Sequence, residues 1–282
     1  MRGIALYRLC TLSFFFLFSF RQGDLNTDYK WLDSYSASTA IVNRIPVPGG
    51  YKRPVCTKES MNCWFEHLPL KPEGTVVKLY NGQKKNRQDV HEAVINIDCG
   101  NKDLQQCADA VMRLHAEFLY SRNKIAEISF NYTSGDKIPF KKWSEGFRPG
   151  IKANKVTWVK KETPSSSYAT FKKYMENVYN YAGSLSLSRE LKPVNDLNAI
   201  ETGDVFIVGG SPGHAVTVVD VAVHEKTGKK IFLIAQSYMP AQDIHILKNF
   251  NSSLSPWYSV DFGEELETPE WTFTKKQLMR FK

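Results

Sequence analysis

Cys107 lies in Asp103-Leu-Gln-Gln-Cys107-Ala-Asp-Ala-Val-Met-Arg-Leu. His214 lies in Gly203-Asp-Val-Phe-Ile-Val-Gly-Gly-Ser-Pro-Gly-His214-Ala-Val-Thr-Val-Val. A thiol at a helix start and an imidazole opening an apolar strand are the parts of a cysteine hydrolase. The unpaired N–H groups and dipole of a helix N-terminus favour a thiolate. The imidazole takes the thiol proton as the sulfur attacks a carbonyl.

Two further roles need residues. An oxyanion requires N–H donors near the sulfur, and Gln105 and Gln106 are both candidates. The imidazole requires a third group to orient it. Gln236, in Ile234-Ala-Gln-Ser-Tyr-Met-Pro240, lies on the next strand and shares a face with His214 if the pairing register is even. Asp220 and Asp243 are rivals for that role. The plain alternative is that Cys107, on the apolar stripe of its helix, is packing, and that His214 and Gln236 serve the backbone. His91, His115, His224 and His245 read as structural or exposed. No cofactor is expected. Cys56, Cys63 and His67 form Cys-x6-Cys-x3-His, which fits no zinc pattern and lacks a fourth ligand, so no metal is expected either. Two pairings, Cys56 with Cys63 and Cys99 with Cys107, are open as disulfides in an exported chain. The second would silence the thiol.

The elements that must position these residues follow from periodicity. Leu104, Cys107, Ala108, Val111, Leu114, His115, Phe118 and Leu119 recur at helical steps over 103–121. Asp103-x-x-Gln106 predicts a capping box with Asp103 as N-cap. A second amphipathic helix is predicted over 165–182. Thr75-Val-Val-Lys-Leu-Tyr reads as a strand before an Asn81-Gly82 turn. Four apolar runs at 205–209, 214–223, 230–238 and 244–248, with short connections, predict an antiparallel meander. Helices early and a meander late define an α+β chain.

The 282 residues carry 42% hydrophobic and 23% charged side chains, an ordinary globular balance. Residues 1–20 set a basic start before the apolar run Leu9–Phe20, which suits an export signal or N-terminal anchor. Residues 21–50 read as a linker or arm, and 51–282 as one α+β domain. The formal net charge is +8. Losing residues 1–20 removes two Arg and no acid, leaving +6. That excess suits an anionic envelope surface. Its lysines are scattered pairs rather than a nucleic-acid stripe, so no nucleic-acid partner is expected. Trp143, Trp158, Tyr238, Trp257, Tyr258 and Trp271 supply aromatic walls for a glycan or peptide groove, which is the non-catalytic alternative.

"Gln106-Cys107" and "Gly203-Asp204-Val-Phe-Ile … Gly213-His214-Ala-Val" resemble the NlpC/P60 and CHAP amidase-peptidases. That resemblance implies a papain-like fold, with the Cys-bearing helix packed on a meander or partial barrel. It also implies hydrolysis of a peptide or a peptidoglycan stem. A broader resemblance runs from about residue 68 to 281. It is carried by Val77-Lys-Leu-Tyr-Asn-Gly, Leu104-Gln-Gln-Cys-Ala-Asp-Ala-Val-Met-Arg-Leu, Thr133-Ser-Gly-Asp, Ser188-Arg-Glu-Leu-Lys-Pro-Val, Gly213-His-Ala-Val, Ala235-Gln-Ser-Tyr-Met-Pro-Ala-Gln-Asp-Ile-His, Ser255-Pro-Trp-Tyr and Thr268-Pro-Glu-Trp. Through these segments the chain resembles the bacterial domain of unknown function 4846 family. The resemblance implies an exported protein of the periplasm or cell envelope. Contact with membrane is expected only through an uncleaved N-terminus.

Overall fold

Long apolar runs in the last third of the chain build one antiparallel sheet, and the helices cover it. The computed structural model describes residues 28–153 and 155–282. Residues 1–20, expected as a signal or anchor, lie outside the described residues. The helices are α1 (Ile41–Arg44), α2 (Met61–Glu66), α3 (Cys107–Ser121), α4 (Phe140–Ser144), α5 (Tyr168–Tyr181) and α6 (Ser184–Glu190). The strands of the main sheet are β1 (Tyr51–Lys52), β2 (His91–Val94), β3 (Lys192–Pro193), β4 (Val205–Val208), β5 (His214–His224), β6 (Lys230–Gln236), β7 (His245–Leu247), β8 (Tyr258–Ser259) and β9 (Leu278–Arg280). Their order is β2-β7-β6-β5-β4-β9-β3. β1 joins the end of β5, and β8 joins β6. Three two-stranded hairpins lie outside this sheet.

The predicted meander is present as β4-β5-β6-β7, all antiparallel. Its centre is buried on both faces, which is why β5 and β6 read as continuous apolar runs rather than as alternation. One face carries Ala215, Val219, Ala222, Leu233 and Ala235, with Ala108, Val111, Leu114 and Phe118 of α3 in the same core. The other face carries Val216, Val218, Phe232 and Ile234 against Tyr258 and Phe273. Each large apolar side chain buried in this way is worth about 1.5–3 kcal/mol.

Three expectations change. The helix predicted from 103 begins at Cys107, with Gln106 as its N-cap. Asp103 is spent elsewhere, because its Oδ1 accepts from Ala241 N at 2.7 Å and from Gln106 Nε2 at 3.0 Å. Thr75–Tyr80 makes isolated bridges instead of a strand. The Gln88 side chain takes both the N–H and the carbonyl of Val77, each at 2.9 Å, so no neighbouring strand is needed. Residues 28–50, expected as a linker or loose arm, are docked: Tyr29, Ala40 and Ile41 are fully buried. Tyr29 packs against Trp64 and donates to its carbonyl at 2.8 Å. Aromatics within this polar stretch bring it into the core.

Candidate functional site

Cys107 is the first helical residue of α3 and is half-buried. A helix start leaves four N–H groups without intrahelical partners. The capping box uses those of Gln106 and Asp109, with Gln106 N donating to Asp109 Oδ2 at 3.1 Å. The N–H groups of Cys107 and Ala108 remain, and both are directed at the Cys107 sulfur together with the N–H of Ala215. The thiol therefore lies against the strand one residue beyond His214. Burial raises its pKa, and these N–H groups oppose the rise without reversing it. The expected thiolate is thus corrected to a protonated resting thiol, because desolvation outweighs the helix terminus. Cys99 and Cys107 are both free thiols, as are Cys56 and Cys63.

His214 opens β5 and is 1% exposed. Its approach is tight: a Cβ on Gly213 would meet the Gly210 carbonyl at 2.4 Å and Ser184 Oγ at 2.7 Å. Only glycine lets the loop pass so close to the start of α6. The imidazole packs against Tyr238 and Trp271, with ring centroids at 4.8 and 5.4 Å. Its Nε2 is 2.8 Å from Gln236 Oε1.

The sharing of a face by residues 214 and 236 depends on one irregularity. Leu233 pairs with Asp220, but Ile234 pairs with Val218, so Val219 is an extra residue. Without that bulge, residue 236 would lie opposite 217 and face away from His214. With it, residue 236 lies opposite 216, two residues from His214 and on its side.

Donor and acceptor logic then fixes the proton on the imidazole. Gln236 Nε2 donates to Glu270 Oε2 at 2.7 Å, and a carboxylate only accepts. Gln236 Nε2 also lies 3.4 Å from His245 Nε2. The other nitrogen of His245 is 2.8 Å from the Asp243 carbonyl and must donate to it. Gln236 Oε1 is therefore the acceptor turned toward His214, Nε2 of His214 carries the proton, and Nδ1 keeps the lone pair. Nδ1 makes no hydrogen bond among the described residues. Burial, with a smaller push from Lys85, lowers the pKa of His214 to about 4, so the ring is a neutral base near pH 7. Lys85 itself pairs with Glu270 Oε1 at 2.6 Å.

Cys107 and His214 line one cleft of about 610 Å³, together with Asp109, Ser184, Tyr238 and Trp271. Its size suits a small ligand. The sulfur and the imidazole are not hydrogen-bonded to each other. α3 packs on the Ala215 face of the sheet, whereas the imidazole lies with Trp271 and Phe273 on the other. Both line the cleft around the start of β5. Tyr238 faces both: its ring packs on His214, and its hydroxyl pKa is raised by burial, then by Glu270 and by Cys107.

The remaining candidates are placed as follows. Gln106 lines the cleft. Gln105 does not: its Oε1 accepts from Arg113 at 3.2 Å, and it lines a neighbouring cavity instead. Asp220 is committed to Arg53 at 2.8 Å, and Asp243 to Lys71 at 2.8 Å. Trp143, Trp257 and Tyr258 are core and Trp158 lies on an outlying hairpin, which leaves Tyr238 and Trp271 as the cleft aromatics of the predicted set. His245 is fully buried and belongs to the network, while His224 caps the turn after β5 through Lys226 N and Thr227 N. Sequence reasoning assigned no role to Glu270 or Lys85. For Glu270 the available signal was Thr268-Pro-Glu-Trp, one of the segments that carried the family resemblance; Lys85 had none. No cluster of three or more metal-ligating side chains occurs among the described residues.

The fold and the cleft define an α+β protein with a large antiparallel sheet and a cysteine-bearing helix seated on it. The family model for domain of unknown function (4846) matches residues 41–280, so the chain belongs to that family. No curated protein and no solved structure matches it.

Proposed function

We propose that the chain is a cysteine-dependent amide hydrolase with a papain-like assembly, acting on a peptide or peptidoglycan stem at the bacterial envelope. The observation that carries this reading is the fixed tautomer of His214. Its Nε2–H is held by Gln236 Oε1 and its Nδ1 lone pair is unspent, in a cleft shared with Cys107. Cys107 Sγ attacks the amide carbonyl carbon while its proton passes to His214 Nδ1. The carbonyl electrons move to oxygen, where the N–H groups of Cys107 and Ala108 are donors. His214 returns the proton to the departing amine as the C–N bond breaks. Water, deprotonated by His214, then cleaves the thioester and restores the thiol. Gln236 orients the imidazole. The basic chain and its apolar start support export and an anionic setting. Among the described residues, no helix is long and apolar enough to cross a membrane.

The test is hydrolysis of purified peptidoglycan stem peptides by the full chain. The wild type is expected to release new amino termini, and Cys107→Ala to release none. Retained hydrolysis by Cys107→Ala overturns the reading. A second reading, a binding module on the same scaffold, is favoured by the raised thiol and by the lack of a bond between Cys107 and His214. It predicts equal binding of stem peptides by wild type and Cys107→Ala, with no turnover by either.

A further inference from the structure

Of the two cysteine pairings open from sequence, the structure brings the first together. Cys56 is half-buried in the loop between β1 and α2, and Cys63 is buried on α2. Their thiols are hydrogen-bonded to each other. Cys99 instead lines a small cavity beside the cleft, with its sulfur 3.6 Å from the Gly100 carbonyl, and Cys107 lines the cleft itself.

The two partners differ in constraint. Cys63 is held in the first turn of α2, where its N–H donates to Ser60 Oγ at 3.2 Å and its neighbours Trp64 and Phe65 are core. Cys56 lies outside any helix, so its side chain can turn toward Cys63 to a disulfide's S–S separation of about 2.05 Å. The loop between them is anchored on both sides. Arg53 pairs with Asp220 of β5 at 2.8 Å, and Arg122, just past α3, donates to the Lys58 carbonyl at 2.7 Å. A base stands beside the pair. Cys56 Sγ donates to Glu66 Oε2 at 3.7 Å, and Glu66 Oε1 accepts from Asn62 at 2.7 Å. Burial, then the Asp220 carboxylate, raises the Glu66 pKa to about 7, which suits it to take a proton near neutral pH. Burial also raises both thiols, so their reaction needs such a base.

We propose that Cys56 and Cys63 are a redox pair that closes to an internal disulfide, with a low-molecular-weight disulfide as oxidant, and that this bridge leaves Cys107 out. Cys56 gives its proton to Glu66, and its sulfur attacks one sulfur of the oxidant. The S–S bond of the oxidant breaks and one thiolate leaves. Cys63 Sγ then attacks Cys56 Sγ and displaces the second thiolate. The two protein protons end on the two released thiols, so two protein thiols are oxidised and one disulfide is reduced. The assignment stands apart from the hydrolase reading, since neither sulfur lines the cleft.

The experiment incubates the reduced full chain with oxidised glutathione, blocks the remaining thiols with N-ethylmaleimide, and digests with trypsin without reduction. Cleavage after Lys58 separates the two cysteines unless a disulfide joins them. The expected result is a bridged species of the Cys56 and Cys63 peptides, with Cys99 and Cys107 carrying maleimide or glutathione. The bridged chain should melt about 5 °C above the reduced one, because the bond closes a short ring. Cys56→Ser should show no such gain under the same oxidation. Maleimide or glutathione on both Cys56 and Cys63 at every oxidant concentration overturns the pairing. So does a bridge from either one to another cysteine, or an equal gain in melting temperature by Cys56→Ser.

Discussion

Glu270 closes on Lys85 with one oxygen and fixes the Gln236 amide with the other. Both members of its ion pair are nearly buried, with side chains 8% and 11% exposed. Truncating one partner of such a pair strands the other charge away from water. Glu270→Ala is therefore expected to cost about 3–5 kcal/mol in denaturant unfolding. Because it also frees the Gln236 amide to rotate, the nitrogen chemical shifts of His214 should report mixed tautomers. A variant whose His214 still shows a single Nε2–H tautomer would contradict the chain of bonds from Lys85 to the imidazole. Little of this chain was legible in the sequence. Gln236 is close to His214 through one hairpin and was within reach of a register argument. Glu270 arrives from a distant loop, and no local pattern ties it to residue 236.

At the scale of elements, periodicity identified α3 and the four meander strands, while registers escaped it. Two capping boxes are spelled at the start of α3, Asp103-x-x-Gln106 and Gln106-x-x-Asp109. The bond from Ala241 N to Asp103 selects the second. β5 is apolar on both faces, so its sequence carries no parity signal from which the Val219 bulge might be read. Deleting Val219 should join Val218 directly to Asp220, regularise the pairing and keep Gln236 opposite Val216, on the His214 side. The expected result is a retained His214–Gln236 bond, read as an unchanged Nε2–H tautomer in the His214 nitrogen chemical shifts. A deletion variant that folds and loses this bond would show that strand pairing does not set the site.

Across the whole molecule, two groups of buried side chains pull stability in opposite directions with pH. His214 and His245 have pKa values lowered by burial to about 4 and about 3. The unfolded chain protonates them below its ordinary value of 6.5. Their contribution is therefore complete above that pH and is lost as pH falls toward 4 and 3. Glu66 and Asp220 are raised by burial to about 7 and about 6. The folded chain keeps their protons, so their contribution is present in acid and is lost as pH rises toward those values. Between about pH 4.5 and 6.5 the two trends oppose each other. Glu66→Gln should remove one opposing term. Relative to wild type, its stability should fall by about 1.4 kcal/mol per pH unit as pH drops through this window. Parallel stability curves for the two proteins would contradict the sign assigned to Glu66. The docking of residues 28–50 belongs to this scale as well. Their polar composition suggested a linker, but a few aromatics are enough to seat a polar segment in a core.

The central claim is that the Cys107 thiol gives its proton to His214. The most direct measurement is the pH dependence of Cys107 alkylation by iodoacetamide, followed by peptide mass mapping, in wild type and in His214→Ala. The account predicts that wild-type Cys107 is alkylated at lower pH than in His214→Ala, because the imidazole takes the thiol proton as the sulfur reacts. His214→Ala should react only as the thiol ionises unaided, at more alkaline pH. Superimposable profiles for the two proteins would mean that the imidazole does not serve this sulfur.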